Sequence, residues 1–225
     1  MPLHAAPRAL LLPLLLAGAA APAVAAPFAI TYTGQTFNST LPGVADGEAY
    51  TLTLIVDNGG TSAASQTWGA VECAIWRMSG GARVFTQPHS TTGNTASVGS
   101  AATGPNGALT QMFTSADGVA TLDYTATGFS PALTPPVWWV ANGSTPVFYD
   151  GNSLGFGDAN VGISMAPADW SAPRRVAGAC DDADYTPPTP TPTQTIAVPA
   201  LGPAALALLA GLLGAAGSRT RRRGA

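Results

Sequence analysis

The sequence predicts an all-β ectodomain, an antiparallel β-sandwich of jelly-roll or immunoglobulin-like type, between an N-terminal signal peptide and a C-terminal transmembrane helix. Three observations carry the fold class. Apolar residues alternate with small or polar ones over short runs, the pattern of strands with one buried face. Glycine, asparagine and proline punctuate those runs, dividing the chain into eight or nine short strands. Between the termini no apolar period of 3.6 residues survives for ten residues, so no amphipathic helix is expected there.

Residues 1–26 read as the signal peptide. Arg8 is its basic region, Ala9 to Ala21 its apolar core, and Ala23-Val24-Ala25 an A-x-A cleavage site. Cleavage after Ala25 or Ala26 leaves a mature start near Pro27. Pro13 and Pro22 interrupt the apolar run and count against a retained helix.

Residues 27–185 form the ectodomain, one domain by size. Phe28 to Tyr32 alternates as a half-buried strand, and Asn38 to Gly43 is a turn region. Tyr50, Leu52, Leu54 and Val56 alternate with Thr51, Thr53, Ile55 and Asp57 in the clearest strand, which stops at Asn58-Gly59-Gly60. Trp68 to Met78 reads as a third strand, with Val71, Cys73 and Ile75 on one face and Trp76 and Met78 on the other. Ser79-Gly80-Gly81 turns it back into Arg83 to Thr86. Ser90 to Gly107, rich in Ser, Thr, Gly and Ala, fits a long loop or a weak edge strand. Asp117-Gly118, between Leu109–Thr114 and Val119–Thr127, is the strongest hairpin signal in the chain. Val137–Val140, Val147–Tyr149 and Val161–Met165 complete the set.

Residues 186–195 are a Pro/Thr linker, stiff and extended where it is polyproline-like. From Ile196 to Gly217 no side chain is ionisable, which is just long enough for a helix to span a bilayer. Arg219, Arg221, Arg222 and Arg223 follow, and the positive-inside rule keeps them cytoplasmic and the ectodomain outside. The motif Val198-Pro199-Ala200-Leu201-Gly202, the helix and the arginines together resemble the C-terminal sorting signals of bacterial surface proteins, most nearly the IPTL-CTERM type, a relative of PEP-CTERM. Ala200 stands where that family usually has Thr, and no Trp follows the motif. The resemblance covers residues 196–225. It implies a Gram-negative envelope and processing by an exosortase-like membrane transpeptidase, with an inner-membrane precursor that becomes a cell-surface or extracellular protein. The translocon and signal peptidase are the partners that the N-terminus implies. A single-pass anchor that is never cut satisfies the same span and charge rules.

Between Pro27 and Thr195 there are twelve Asp or Glu against four Arg and no lysine, a net charge of −8. Nucleic acid and anionic lipid both require basic patches, so neither is an expected partner. The two cysteines, Cys73 and Cys180, lie on the exported side, where an even count favours a disulfide over two free thiols.

Of the catalytic templates, S-x-x-K and H-E-x-x-H are absent, and the mature chain has one histidine, His89. Gly155-Phe156-Gly157 lacks the third glycine of a dinucleotide fingerprint. A glycoside hydrolase needs only two acids at a suitable separation, and Glu72 and Asp123, each among apolar neighbours, are the candidates. Asp150, Asn152, Asp158 and Asn160 place oxygen ligands on a glycine-rich loop that suits calcium or is simply a surface turn. No resident metal or cofactor is expected. Trp138 and Trp139 must face opposite ways on a strand, so one of them is available to stack on a sugar ring, possible contact for an extracellular polysaccharide. The expectation is a non-enzymatic surface or matrix protein; the alternatives are a carbohydrate-binding module using exposed Trp and a secreted glycoside hydrolase.

Overall fold

The computed structural model describes residues 26–89, 95–143, 147–160, 163–178 and 180. Residues 1–25 of the signal peptide, the linker, the sorting motif with its apolar segment and the terminal arginines lie outside the described residues. The chain divides into units of Met1–Pro187 and Pro188–Ala225, and every described residue belongs to the first.

The described chain is all-β, with antiparallel pairing throughout and almost no helix beyond two short 3-10 turns. The organising strand is β1 (Phe28–Phe37). It pairs along its length with β2 (Ala49–Val56), which pairs with β4 (Cys73–Met78); β4 pairs with β5 (Arg83–Pro88), and β5 with β10 (Thr125–Thr127). On its other side, β1 holds two partners. Phe28 and Ala29 pair with β14 (Arg174–Arg175), whereas Thr36 and Phe37 pair with β13 (Gly155–Asp158). From β13 the ladder continues through β12 (Phe148–Tyr149), β11 (Val137–Ala141) and β9 (Ser115–Ala120) to β6 (Thr95–Val98). The short strands β3 (Thr67–Trp68), β7 (Ala101–Thr103) and β8 (Leu109–Gln111) make a separate small sheet.

Ring contacts show that the long ladder folds onto itself as a sandwich. Trp76 of β4 meets Trp139 of β11 at 6.1 Å and Phe148 of β12 at 5.6 Å between ring centroids. Tyr50 of β2 meets Phe156 of β13 at 5.2 Å, and Phe85 of β5 meets Phe148 at 5.3 Å. These rings are fully buried, and burying each large apolar side chain stabilises by about 1.5–3 kcal/mol. Gln87, also fully buried, joins the layers: its side-chain N–H donates to the Val119 carbonyl, and its Oε1 accepts from Trp139 Nε1 at 2.7 Å. A buried amide satisfied on both sides avoids the cost of an unpaired polar group.

The first layer is covered on its outer face too. Ala29, Ile55, Cys73, Ile75 and Val176 form a second apolar cluster, with Val84 and Cys180 packed against it. The Cys73–Cys180 disulfide spans 107 residues and fastens this C-terminal segment over the sheet. That cover explains why nearly all of β2 is buried, although its sequence alternates. Thr53 on the covered face is satisfied by Thr31, hydroxyl to hydroxyl at 3.0 Å.

The structure corrects several local expectations. Trp68–Met78 is two strands: Thr67–Trp68 pairs with β7, and the chain re-enters the sheet at Cys73. Gly69, which offers no side chain to pack, falls at the break. Val71 packs into the main core instead of beside Cys73. Asp117-Gly118 is no turn but the middle of β9. A Cβ on Gly118 would lie 2.6 Å from Gln87 Oε1 and from Trp139 Nε1, so this glycine makes room for the layer-joining amide. Gly155–Asp158, expected in a loop, is a central strand with Phe156 buried. Ile163–Met165 is not a strand; the Ser164 carbonyl accepts the Trp170 indole N–H at 2.8 Å.

Candidate functional site

The second layer has an outward face, and strand parity decides what stands on it. On β11 Trp139 points inward and is 1% exposed, whereas Trp138 points outward and is 37% exposed. Trp68, Trp76 and Trp170 are buried, so Trp138 is the tryptophan available for stacking among the described residues. Its register partners are Val119 on β9 and Tyr149 on β12. Val119 is exposed and Tyr149 half-buried, which makes an apolar and aromatic row across three strands. Tyr149 in turn pairs with Gly155, where a Cβ would strike the tyrosine ring and the Phe148 carbonyl, so the glycine leaves room for both. Asp117 stands two residues from Val119 on the same face of β9, and partial burial pushes its carboxyl above the usual range. This row offers ring faces and one acid. That chemistry suits the C–H faces and hydroxyls of a sugar.

The proposed calcium ligands are engaged elsewhere. Asp150 is buried: Oδ1 accepts from the backbone N–H of Asn152 and Leu154 at 2.9 and 3.0 Å, and Oδ2 from that of Thr134 at 3.1 Å. Asn152 donates its side-chain amide to Thr134 Oγ1. Asp158, also buried, accepts from Tyr50 Oη at 2.6 Å, Tyr32 Oη at 3.2 Å and Asn160 N at 2.7 Å. Burial, then the Asp158 charge and hydrogen bond, pushes the Tyr32 phenol up to about 12 against a weaker lowering by Asn160. Burial and Asp158 push Tyr50 further in the same direction. The four residues thus serve two separate sets of N–H and O–H donors. Among the described residues, no group of three or more His, Cys, Asp or Glu is placed to hold a metal ion.

Glu72 is half-buried just before β4, and Asp123 is exposed between β9 and β10. His89 follows β5, with its backbone N–H on the Glu72 carbonyl at 2.8 Å. Cys73 and Cys180 are paired as the compartment argument expects. Two features escaped sequence reasoning, the Gln87 link and the Tyr32–Tyr50–Asp158 cluster. Only their spacing on opposite-facing strands could have pointed to them, and that requires the pairing to be known.

Residues 196–223 match the IPTL-CTERM motif, a C-terminal sorting signal. The signal supports an exported, surface-sorted protein. The match includes Val198–Gly202 and Arg219 to Arg223, and it leaves the ectodomain unassigned. Neither the curated proteins nor the solved structures contain a match to the chain. Among the described residues no helix is long and apolar enough to cross a membrane; the apolar segment from Ile196 to Gly217 lies outside them.

Proposed function

We propose that the chain, premised on its IPTL-CTERM signal, is a non-enzymatic protein of the cell surface or extracellular matrix, sorted and processed through its C-terminus. The matched motif is the observation that carries this reading. Residues 196–217 hold the precursor in the inner membrane, with Arg219, Arg221, Arg222 and Arg223 on the cytoplasmic side. An exosortase-like transpeptidase then acts near Val198–Gly202. The Pro/Thr linker presents the domain away from the bilayer, at about 3.1 Å per residue where it is polyproline-like. The disulfide supports an oxidising destination for the fold.

Protease accessibility on intact host cells tests the display. Antibody to the ectodomain should lose its signal when whole cells are treated with protease, while a cytoplasmic marker survives. A protected ectodomain would refute surface display. Amine-directed labels would reach only the N-terminal α-amine, because the chain contains no lysine.

A second reading, carbohydrate binding, is favoured by one observation: Trp138 stands exposed beside Val119 and Tyr149 on an outward sheet face. A lysine-free, acid-rich ectodomain suits neutral glycans better than polyanionic ones.

A further inference from the structure

Between β9 and β11 the chain leaves the second layer, lays β10 along the edge of β5, and returns. This excursion encloses a cleft of about 410 Å³, lined by Thr121, Leu122, Tyr124, Phe129, Leu133 and Pro135 with two alanines. The volume falls in the roughly 300–1,000 Å³ range of small-ligand sites. One wall is anchored on the core, because the Tyr124 ring packs on Phe85 at 5.4 Å. The other wall is fixed by the Asp150 turn. Asp150 accepts from Thr134 N, and Gly151 N donates to Thr134 O at 2.5 Å. A Cβ on Gly151 would press on the Pro135 carbonyl at 2.5 Å, so glycine permits this close fit. Each wall is thus tied to the rest of the domain at one point, Tyr124 on Phe85 and Thr134 on the Asp150 turn.

Leu122, on the rim, is 85% exposed, the most exposed large apolar side chain among the described residues. A leucine left in water beside an aromatic cleft is a candidate contact. None of the lining residues carries a carboxylate, guanidinium or imidazole, and their polar side-chain groups are hydroxyls. An ionic ligand would find no counter-charge in this lining. The cleft also adjoins the aromatic row. Thr121 directly follows Ala120, which pairs with Val137, and the next pair along is Val119 with Trp138.

We infer that this cleft receives a ring of a neutral polysaccharide, whose chain continues onto Trp138. A sugar ring combines an apolar C–H face, for Tyr124 and Phe129, with hydroxyls that exchange hydrogen bonds with Thr121 and Tyr124. The inference rests on the carbohydrate reading given above and assigns it a second contact region.

The test uses the full chain in a zwitterionic detergent with no sugar headgroup. Affinity electrophoresis is run through gels containing dextran, mannan, xylan or hydroxyethyl cellulose, with heparin and polygalacturonate as anionic probes. The expected result is retardation by at least one neutral polymer and by neither polyanion. Leu122→Ser and Phe129→Ala should each weaken that retardation at least fivefold, and Leu122→Ser bears no folding risk at so exposed a site. Retention lost in Trp138→Ala but unchanged in both cleft variants would overturn the cleft and leave the carbohydrate reading standing. Migration unaffected by every neutral polymer would overturn both.

Discussion

Removing the Cys73–Cys180 bridge is the perturbation whose size follows most directly from the fold. The bond closes 107 residues, so reduction returns a large loop-closure entropy to the unfolded chain. In the chain-entropy treatment this corresponds to about 4.8 kcal/mol at 25 °C. For a domain of this size each kcal/mol shifts Tm by roughly 2–4 °C, which gives a fall of about 10–19 °C. The bond also fastens the segment carrying Val176 over Ala29, Ile55 and Ile75, so its loss weakens a buried cluster as well. The assay is urea unfolding of Cys73→Ser/Cys180→Ser beside the parent, followed by tryptophan fluorescence. The variant should remain folded but lose about 3–5 kcal/mol. A loss below about 1 kcal/mol would refute the reasoning, because it would mean that the C-terminal segment stays in place without its fastening.

Three further outcomes are expected. Gly118→Ala should cost about 1–3 kcal/mol in the same assay, since its Cβ would sit 2.6 Å from Gln87 Oε1 and the Trp139 indole; neutrality would place Gln87 elsewhere. The domain should weaken in alkali. Tyr32 and Tyr50 hold their protons more tightly folded than unfolded, so their contribution is complete below pH 10 and is lost as pH rises towards 12. Urea midpoints between pH 9 and 11.5 read this, and Tyr50→Phe should flatten the slope. Finally, millimolar calcium or a chelator should leave Tm unchanged, because Asp150 and Asp158 already accept from N–H and phenol donors; a calcium-dependent rise would contradict those assignments.

Period-2 alternation in Tyr50–Val56 revealed a strand because side-chain direction on a strand depends only on parity. The same parity separated Trp138 from Trp139 before any coordinates were needed. Glycine misled. Asp117-Gly118 and Gly155-Phe156-Gly157 carry turn and loop composition, yet all three glycines lie in strands, and at Gly118 and Gly155 a Cβ would collide with Trp139, Tyr149 or the Phe148 backbone. A glycine needed for close approach and one needed for positive φ look alike in sequence. Whether an excursion such as 121–136 becomes a loop or a wall depends on partners far along the chain. Here those are Phe85 and Asp150, which no local pattern reports.

The measurement that tests the central claim most directly is the intact mass of the protein recovered from its native host, together with its partitioning between membrane and medium. Sorting through the IPTL-CTERM signal predicts a mature chain that begins near Pro27 and ends near Val198–Gly202, lacks Arg219 to Arg223, and is recovered from the envelope surface or the medium. A chain still ending at Ala225 and released only by detergent would contradict processing and leave a permanent single-pass anchor.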